Sequence, residues 1–404
     1  MTKTSRGIAN ATEESFHKHY AAIWGEERWR ISLYPALAEG TRYIALVNRY
    51  ASVSDFKQAI NDAGIPSEEL QQIHFPSLDP IKNPSQAEDI LCFARVTQRI
   101  GEDGKLNTAP SNLPFPPPAA ANIHRSKLMT HWNLDAASVL VVHLLDIKPG
   151  ESVLDLCAAP GGKSVALAQK MWPALQTHDS NALSTVHTQS MGRIVSNEVD
   201  GNRQKRLEDN LHAYFPPLLF KENFFQCTNV DGTNNLATNK LQAKHGYDKV
   251  LVDAPCSSER HIIHAQNKAK ASGNAAKEMS SWRPNTAKRI ASTQLQLLMN
   301  ALKLTKIGGK IIYATCSIET NENDGVIEKM MSQVRKDRRK GLTWDVNLGF
   351  ESVGGEQLLE TQVSKWAEKT AYGWIVLPDH PSNGKWGPLY FSIITKCRAP
   401  TRNG

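Results

Sequence analysis

From about residue 124 onward, short apolar runs alternate with longer amphipathic ones. The runs SVLDL (152–156), GRIVSN (192–197), NFFQCTN (223–229), YDKVLVD (247–253), KIIYAT (310–315) and PLYFSIIT (388–395) are β-branched or aromatic, bounded by Gly, Pro, Asp or Asn, and predict strands. Between them, KSVALAQKM (163–171), DGNRQKRLEDNLHAYF (200–215), NTAKRIASTQLQLLMNALKLT (285–305) and TNENDGVIEKMMSQV (320–334) repeat apolar positions at helical spacing, and LDAASVLVVHLLDI (134–147) precedes the first strand. This alternation predicts a Rossmann-like α/β sheet with helices on both faces, whose ligands sit at the carboxyl ends of its strands.

The first 110 residues read differently. FHKHYAAIWGEERWRISLYPALAEG (16–40) and ALVNRYASVSDFKQAI (45–60) carry aromatic and aliphatic residues at helical spacing, so residues 1–110 are expected to be a mostly helical region. SNLPFPPP (111–118) cannot be helical, and residues 111–123 are expected to form a Pro-rich linker or extended strap leading into the α/β domain over 124–404.

Composition narrows the class without choosing a function. The chain has 404 residues, 40% of them hydrophobic and 22% charged, which fits two to three globular domains and argues against wholesale disorder. No apolar run approaches the roughly 20 residues a membrane span needs. The net charge of +7 permits a polyanionic partner without requiring one. Six cysteines at irregular spacing, with no C-x-x-C pair, argue against a disulfide framework and leave individual thiols free for chemistry. The N-terminus holds Lys3 and Arg6 but also Glu13 and Glu14, a poor transit peptide.

The expected strand ends carry the chemistry. The first runs into Cys157-Ala158-Ala159-Pro160-Gly161-Gly162-Lys163-Ser164, where small residues before a helix let a ligand approach the backbone. The P-loop pattern fails because Cys157 stands where it needs Gly, and G-x-G-x-x-G is absent. Glu198 ends the second strand and can accept from two ribose hydroxyls; Asp231 follows the third and can accept from an adenine amino group. Together these predict an adenosine pocket. The fourth strand ends in Asp253-Ala254-Pro255-Cys256 and the fifth in Thr315-Cys316-Ser317, which places two thiols at neighbouring strand ends with Lys163 as a cation to activate one of them. Strand ends alone leave open which thiol attacks. His261 and His264 are spaced H-x-x-H, but no second pair completes a zinc site, and no metal is expected.

The set LDLCAAPGGKS, SNEVDGNR, DAPCSS and ATCSIETNEN resembles the Nop/Sun class of RNA cytosine-5 methyltransferases, related to bacterial RsmB, in the family's order over residues 124–404. HYAAIWGEERWRISLYPAL (19–37), RYIALVNRY (42–50) and WGPLYFSIITK (386–396) are similar to its mitochondrial branch, which modifies ribosomal or transfer RNA. The resemblance implies S-adenosylmethionine as methyl donor, held by Cys157 to Lys163 (with Ala158, Ala159, Pro160, Gly161 and Gly162), by Glu198 at the ribose, by Asp231 and Gly232 at the adenine, and by Arg203 and Asp253 nearby. It also implies that Cys316 attacks carbon 6 of cytosine, that Asp253 bonds the N3 edge, that Lys163 orients the base or supports the thiolate, and that Cys256 serves release. DNA cytosine enzymes take their nucleophile from the Pro-Cys motif instead, so the presence of Cys316 favours RNA. Ribosomal RNA is the expected substrate, with transfer RNA as the alternative, and mitochondria the expected compartment ahead of nucleus or cytoplasm. A non-catalytic RNA-binding assembly factor with this fold is the rival from another class; a scaffold has no use for two aligned thiols.

Three further expectations concern the rest of the chain. Residues 174–190 and HAQNKAKASGNAAKEMSS (264–281) depart from the family pattern and are expected to be loops. Arg260, Lys268, Lys270, Lys277, Arg283, Lys288 and Arg289 are expected to line the substrate cleft and contact phosphates, with a second basic patch at 335–340. RNA targeting is assigned to residues 1–110 or to a partner protein, so deleting those residues is expected to abolish RNA modification while leaving cofactor binding intact.

Overall fold

The structure, a computed structural model, describes residues 3–78, 90–100, 106–121, 127–176, 191–350, 356–382 and 384–399. Its larger sheet is built from β6 (Ser152–Asp155), β7 (Arg193–Asn197), β8 (Phe225–Thr228), β9 (Tyr247–Asp253), β10 (Thr305–Thr315), β11 (Trp344–Leu348), β12 (Glu368–Lys369), β13 (Trp374–Val376) and β14 (Leu389–Arg398). Their order is β12-β13-β14-β10-β9-β6-β7-β8, with β11 also on β14. The strands from β8 through β10 run parallel, while β14 runs antiparallel to β10.

The order explains where a ligand goes. From β6 the chain winds outward through β7 to β8, then returns to place β9 on the other side of β6. The reversal between β6 and β9 is the topological switch point of a doubly wound sheet, and it opens a crevice at the carboxyl ends of those two strands. Both faces of the sheet are covered, which is why its strands read as nearly continuous apolar runs. Val153, Leu251 and Ile312 pack with Val139, Val165 and Leu207 on one side. Leu154, Val250 and Val252 pack with Ile263, Leu297 and Val326 on the other.

The N-terminal region begins helical, as expected, from Lys3 to Trp24 and on to Ala38. It then contributes strands that periodicity did not reveal: β1 (Ile44–Val47), β2 (Leu70–Gln72), β3 (Cys92–Ile100) and β4 (Leu106–Pro110), joined by β5 (His131–Leu134). β1, β2 and β5 are only three or four residues long, and the fully buried β1 has no alternation to betray it, while β3 is longer, nine residues. β1 pairs antiparallel with both β3 and β5, so the boundaries expected at 110 and 124 do not mark a break in the fold. The Pro-rich segment is an extended strap held to β5, its Pro116 carbonyl accepting from His131 Nε2 at 3.2 Å and Asn133 Nδ2 at 3.0 Å.

The expected loop at 264–281 is a correction. Helices span Glu259–Ala271 and Lys277–Ser281. The segment is rich in strong helix formers and sits in a buried setting: Met279 within it, with Ile262, Ile263 and Trp282 at its two ends, packs with Phe16, Tyr20 and Trp29 of the N-terminal helical arm. Gln266 joins the pieces, donating to Glu13 at 3.0 Å and accepting from the Ala276 amide at 2.9 Å. Of the other expected loop, Pro173–Gln176 is a short 3-10 turn and residues 177–190 lie outside the described residues.

The expected basic cleft lining is a second correction. Arg260 does line the cleft, but it is buried there and donates to the carbonyls of Gly387, Glu39 and Gly40, while Lys270 pairs with Glu13 at 2.6 Å. Lys268 and Lys277 on these helices, Arg283 in the turn that follows, and Lys288 and Arg289 at the start of the helix Thr286–Leu304 are exposed and do not line the cleft. Arg335, Lys336, Arg339 and Lys340 are exposed at the end of the helix Asp324–Arg339.

Candidate active site

A cleft of about 730 Å³ opens at the switch point. Cys157, Ala159, Lys163, Glu198, Arg203, Asp231, Gly232, Asp253, Cys256 and Cys316 all line it, so most of the residues expected from separate strand ends meet in one place. Ala158, Pro160, Gly161 and Gly162 stand behind its wall and shape the turn. The Ala158 amide donates to the Asn197 carbonyl at 2.8 Å, and the Pro160 carbonyl accepts from Asn210 at 2.9 Å. Gly161 holds φ +119°, a left-handed conformation that starts the helix Gly162–Met171. A Cβ on Gly162 would lie 2.7 Å from Trp132 Nε1, so the close packing of loop on β5 requires glycine.

At one end of the cleft the donor set fits an adenosine. Leu156, Leu297 and Val199 supply apolar walls beside the carboxylates of Glu198 and Asp231. Glu198 is buried and held in place by the Asp200 amide at 3.0 Å and Arg203 at 3.3 Å. Arg203 also donates to the Ala159 carbonyl at 3.0 Å, tying the second strand's acid to the first strand's loop. Asp231 keeps one oxygen for Thr233 and is exposed toward the cleft.

At the other end sit the thiols. Parallel pairing of β9 and β10 puts Asp253 opposite Ala314, so the loops that follow both strands leave the sheet side by side. Cys256 Sγ and Cys316 Sγ are 2.9 Å apart, and Ser258 Oγ is 3.5 Å from Cys316. The hydrogen bond between the thiols, with Ser258 adding to it, lowers the Cys316 pKa below the ordinary thiol value in spite of burial. The same contact and burial push Cys256 well up. Of the two, Cys316 is the one poised as a thiolate. Lys163 Nζ donates to Asp253 Oδ2 at 2.7 Å; burial opposes its charge, but the Asp253 carboxylate more than restores it, and the Lys163 pKa is raised.

Several residues that hold the site were not singled out from the sequence. Glu259 and Glu322 are buried beneath the two thiol loops, and Glu322 accepts from the Ser257 amide at 3.0 Å and Gln294 at 2.9 Å. Burial, helped by Glu259, pushes the Glu322 pKa up to about 7. Glu322 lies inside the ATCSIETNEN motif and Glu259 directly follows DAPCSS, but a single sequence does not distinguish a buried glutamate from a solvated one. His264 turned out to be bonded through Nε2 to the carbonyls of Leu37 and Glu39, each at 2.9 Å.

Asp155, at the end of β6, is fully buried. Its Oδ2 accepts from Ser164 at 2.7 Å, and its Oδ1 has no partner among the described residues. Burial, against the Ser164 hydrogen bond, pushes its pKa up to about 7. The folded protein therefore keeps this proton where the unfolded chain has released it, and stability falls as pH rises from about 4 to about 7. Asp155→Asn cannot ionise and should lose that slope. Urea unfolding at pH 5 and pH 8 should find the variant gaining on the wild type by roughly 2–4 kcal/mol between the two; an equal pH slope in both proteins would count against a buried neutral acid.

A switch-point cleft with an adenosine-shaped half and a paired-thiol half defines an S-adenosylmethionine-dependent methyltransferase. The model of the family described as 16S rRNA methyltransferase RsmB/F matches residues 142–362, over half of the chain. The protein belongs to that family and is an S-adenosylmethionine-dependent RNA cytosine-5 methyltransferase. It is 27% identical to the mitochondrial tRNA (cytosine(34)-C(5))-methyltransferase of Danio rerio, over 98% of this chain and 90% of that one. It is 26% identical to the 5-cytosine rRNA methyltransferase NSUN4 of Mus musculus, over 94% of this chain and 86% of that one. The fold is shared with a methyltransferase homologue from Pyrococcus horikoshii at a TM-score of 0.54 and 20% identity, covering 98% of this chain and 99% of that one.

Proposed function

We propose that the protein methylates carbon 5 of a cytosine in mitochondrial ribosomal RNA through a covalent bond from Cys316 to carbon 6. The observation that carries this reading is the thiol pair at 2.9 Å, set beside the Lys163–Asp253 pair in the cleft that fits the methyl donor. Carbon 5 of cytosine is a poor nucleophile, and a thiolate added at carbon 6 turns the ring into an enamine that is reactive at carbon 5. S-adenosylmethionine supplies an electrophilic methyl group on a sulfonium.

The residues divide the remaining work. Cys316 forms the carbon–sulfur bond, its pKa lowered by the contact with Cys256 and Ser258 so that it ionises more readily than an ordinary thiol. Asp253 bonds the N3 edge of the cytosine, and the proton needed there as negative charge develops passes through it from the Lys163 ammonium, which also holds it in place at 2.7 Å. Cys256 waits as a neutral thiol because its contact with Cys316 and its burial raise its pKa. Once Cys316 is bound to carbon, that contact is gone, so Cys256 can ionise and take the carbon-5 proton. The electron pair left on carbon 5 then expels the Cys316 thiolate from carbon 6. Glu198, Asp231 and Gly232 hold the adenosine, with the turn from Cys157 to Lys163 beneath it.

The family's description and the name of the mouse relative support ribosomal RNA, whereas the name of the zebrafish relative supports transfer RNA and a mitochondrial compartment. The test is transfer of labelled methyl from S-adenosylmethionine to separated mitochondrial ribosomal and transfer RNA, with digestion to nucleosides. The expected result is label in 5-methylcytidine from the ribosomal fraction. Label in the transfer fraction alone would reassign the substrate, and label in neither would overturn the reading.

A further inference from the structure

The two thiol loops are not held by the sheet alone. Glu259, completely buried at the start of its helix, accepts from three sides. Ser257, next to Cys256, donates its hydroxyl to Glu259 Oε1. From the other loop, Ser317 Oγ lies 3.1 Å from Oε1 and the Ile318 amide 3.0 Å from Oε2. Tyr20 of the N-terminal helix completes the set, its hydroxyl donating to Oε1 at 2.9 Å. The same helix reaches the Cys316 loop twice more, through His19 to Glu319 at 2.6 Å and Trp24 Nε1 to the Ile318 carbonyl at 3.2 Å. A buried carboxylate is costly unless paired or hydrogen-bonded, and among the described residues this one has no cationic partner; what stabilises it is four donors from three separate pieces of chain.

We propose that Glu259 is a positioning residue for methyl transfer: its carboxylate fixes the Cys256 and Cys316 loops to each other and to Tyr20, so the N-terminal helix sets the geometry of the thiol pair. This rests on the reading of Cys316 as nucleophile. The helix is thereby part of the catalytic apparatus without reaching the cleft, since neither Tyr20 nor Glu259 lines it. Misplacement of a reacting group by about 1 Å can cost about a hundredfold in rate.

The test uses the full chain with Tyr20→Phe, Glu259→Gln and Cys316→Ala, followed by cofactor affinity, single-turnover methyl transfer and the pH dependence of Cys316 alkylation. Tyr20→Phe and Glu259→Gln should bind S-adenosylmethionine as the wild type does, while transfer slows about tenfold and about a hundredfold respectively. In Glu259→Gln the alkylation midpoint should also move to lower pH, because a negative neighbour of Cys316 is removed while Cys256, Asp253 and Lys163 stay. Slower transfer with a more readily ionised thiol is a signature that a purely structural role would not give. Wild-type transfer rates in both variants, with Cys316→Ala inert, would overturn the positioning role alone. Transfer persisting in Cys316→Ala would remove the nucleophile it rests on. If Glu259→Gln fails to bind cofactor, Tyr20→Phe decides, since it keeps the buried ring and loses only the hydroxyl.

Discussion

Replacing Cys316 by alanine should reduce methyl transfer by at least about ten-thousandfold, a loss on the scale seen when a covalent nucleophile is removed. Among the described residues, the other thiols lining the cleft are poor substitutes. Cys256 lies 2.9 Å away, and with its contact to Cys316 removed it is still pushed toward the neutral thiol by burial and by Glu259 and Glu322, while burial does the same to Cys157. Cofactor affinity should be unchanged, because Glu198, Asp231 and the Cys157–Lys163 turn belong to β6, β7 and β8 rather than to the loop after β10. In the wild type the rate should rise with pH through the Cys316 ionisation, at a midpoint below that of an ordinary thiol. Single-turnover transfer with labelled donor, and equilibrium binding of the donor to both proteins, measure these separately. A variant that retains a tenth of wild-type transfer would show that covalent attack by Cys316 is dispensable.

Deleting residues 1–110 should destroy cofactor binding together with RNA modification, contrary to the expectation from sequence. Phe16, Tyr20, Trp29, Leu33 and Leu37 are completely or almost completely buried against the catalytic core. At about 1.5–3 kcal/mol for each buried side chain, their loss amounts to roughly 10 kcal/mol, against a total stability on the order of 5–15 kcal/mol. The deletion also strips β1 from β5 and uncovers Ile263, Met279 and Trp282. The shortened chain should show no cooperative thermal transition and no binding of S-adenosylmethionine. A cooperative melt with wild-type affinity would mean that the arm is an appendage after all.

The catalytic sheet was legible because its physics is local. Buried parallel strands must be apolar along their whole length, and the residues at their carboxyl ends must be small, acidic or nucleophilic to serve a ligand there. Val250 to Val252 ending in Asp253, and Ile311 to Ala314 ending near Cys316, each satisfy both conditions in a few residues. The N-terminal sheet failed this test: β1 and β5 are four residues each and find their partners across the Pro-rich strap, a pairing that no local period encodes. Helix 259–271 hid for another reason. Its sequence had the propensity, but its burial depends on the aromatic arm more than 200 positions away, so a charge-rich stretch read as solvated loop. For the same reason Arg260 read as a phosphate contact and is instead a buried donor to backbone carbonyls. At the site itself, the thiols and Lys163 stood out by residue type, while Glu259, Glu322 and Asp155 act through burial that only the folded chain reveals.

The most direct measurement is of the Cys256→Ala protein incubated with RNA and S-adenosylmethionine, run beside Cys316→Ala under denaturing conditions and analysed by mass spectrometry. Attack by Cys316 and release through Cys256 predict a stable protein–RNA adduct in Cys256→Ala, mapped to Cys316, carrying one added methyl on the cytosine. Cys316→Ala should give none. An adduct in Cys316→Ala mapped to Cys256, or its absence from both proteins while RNA is still methylated, would contradict the covalent assignment.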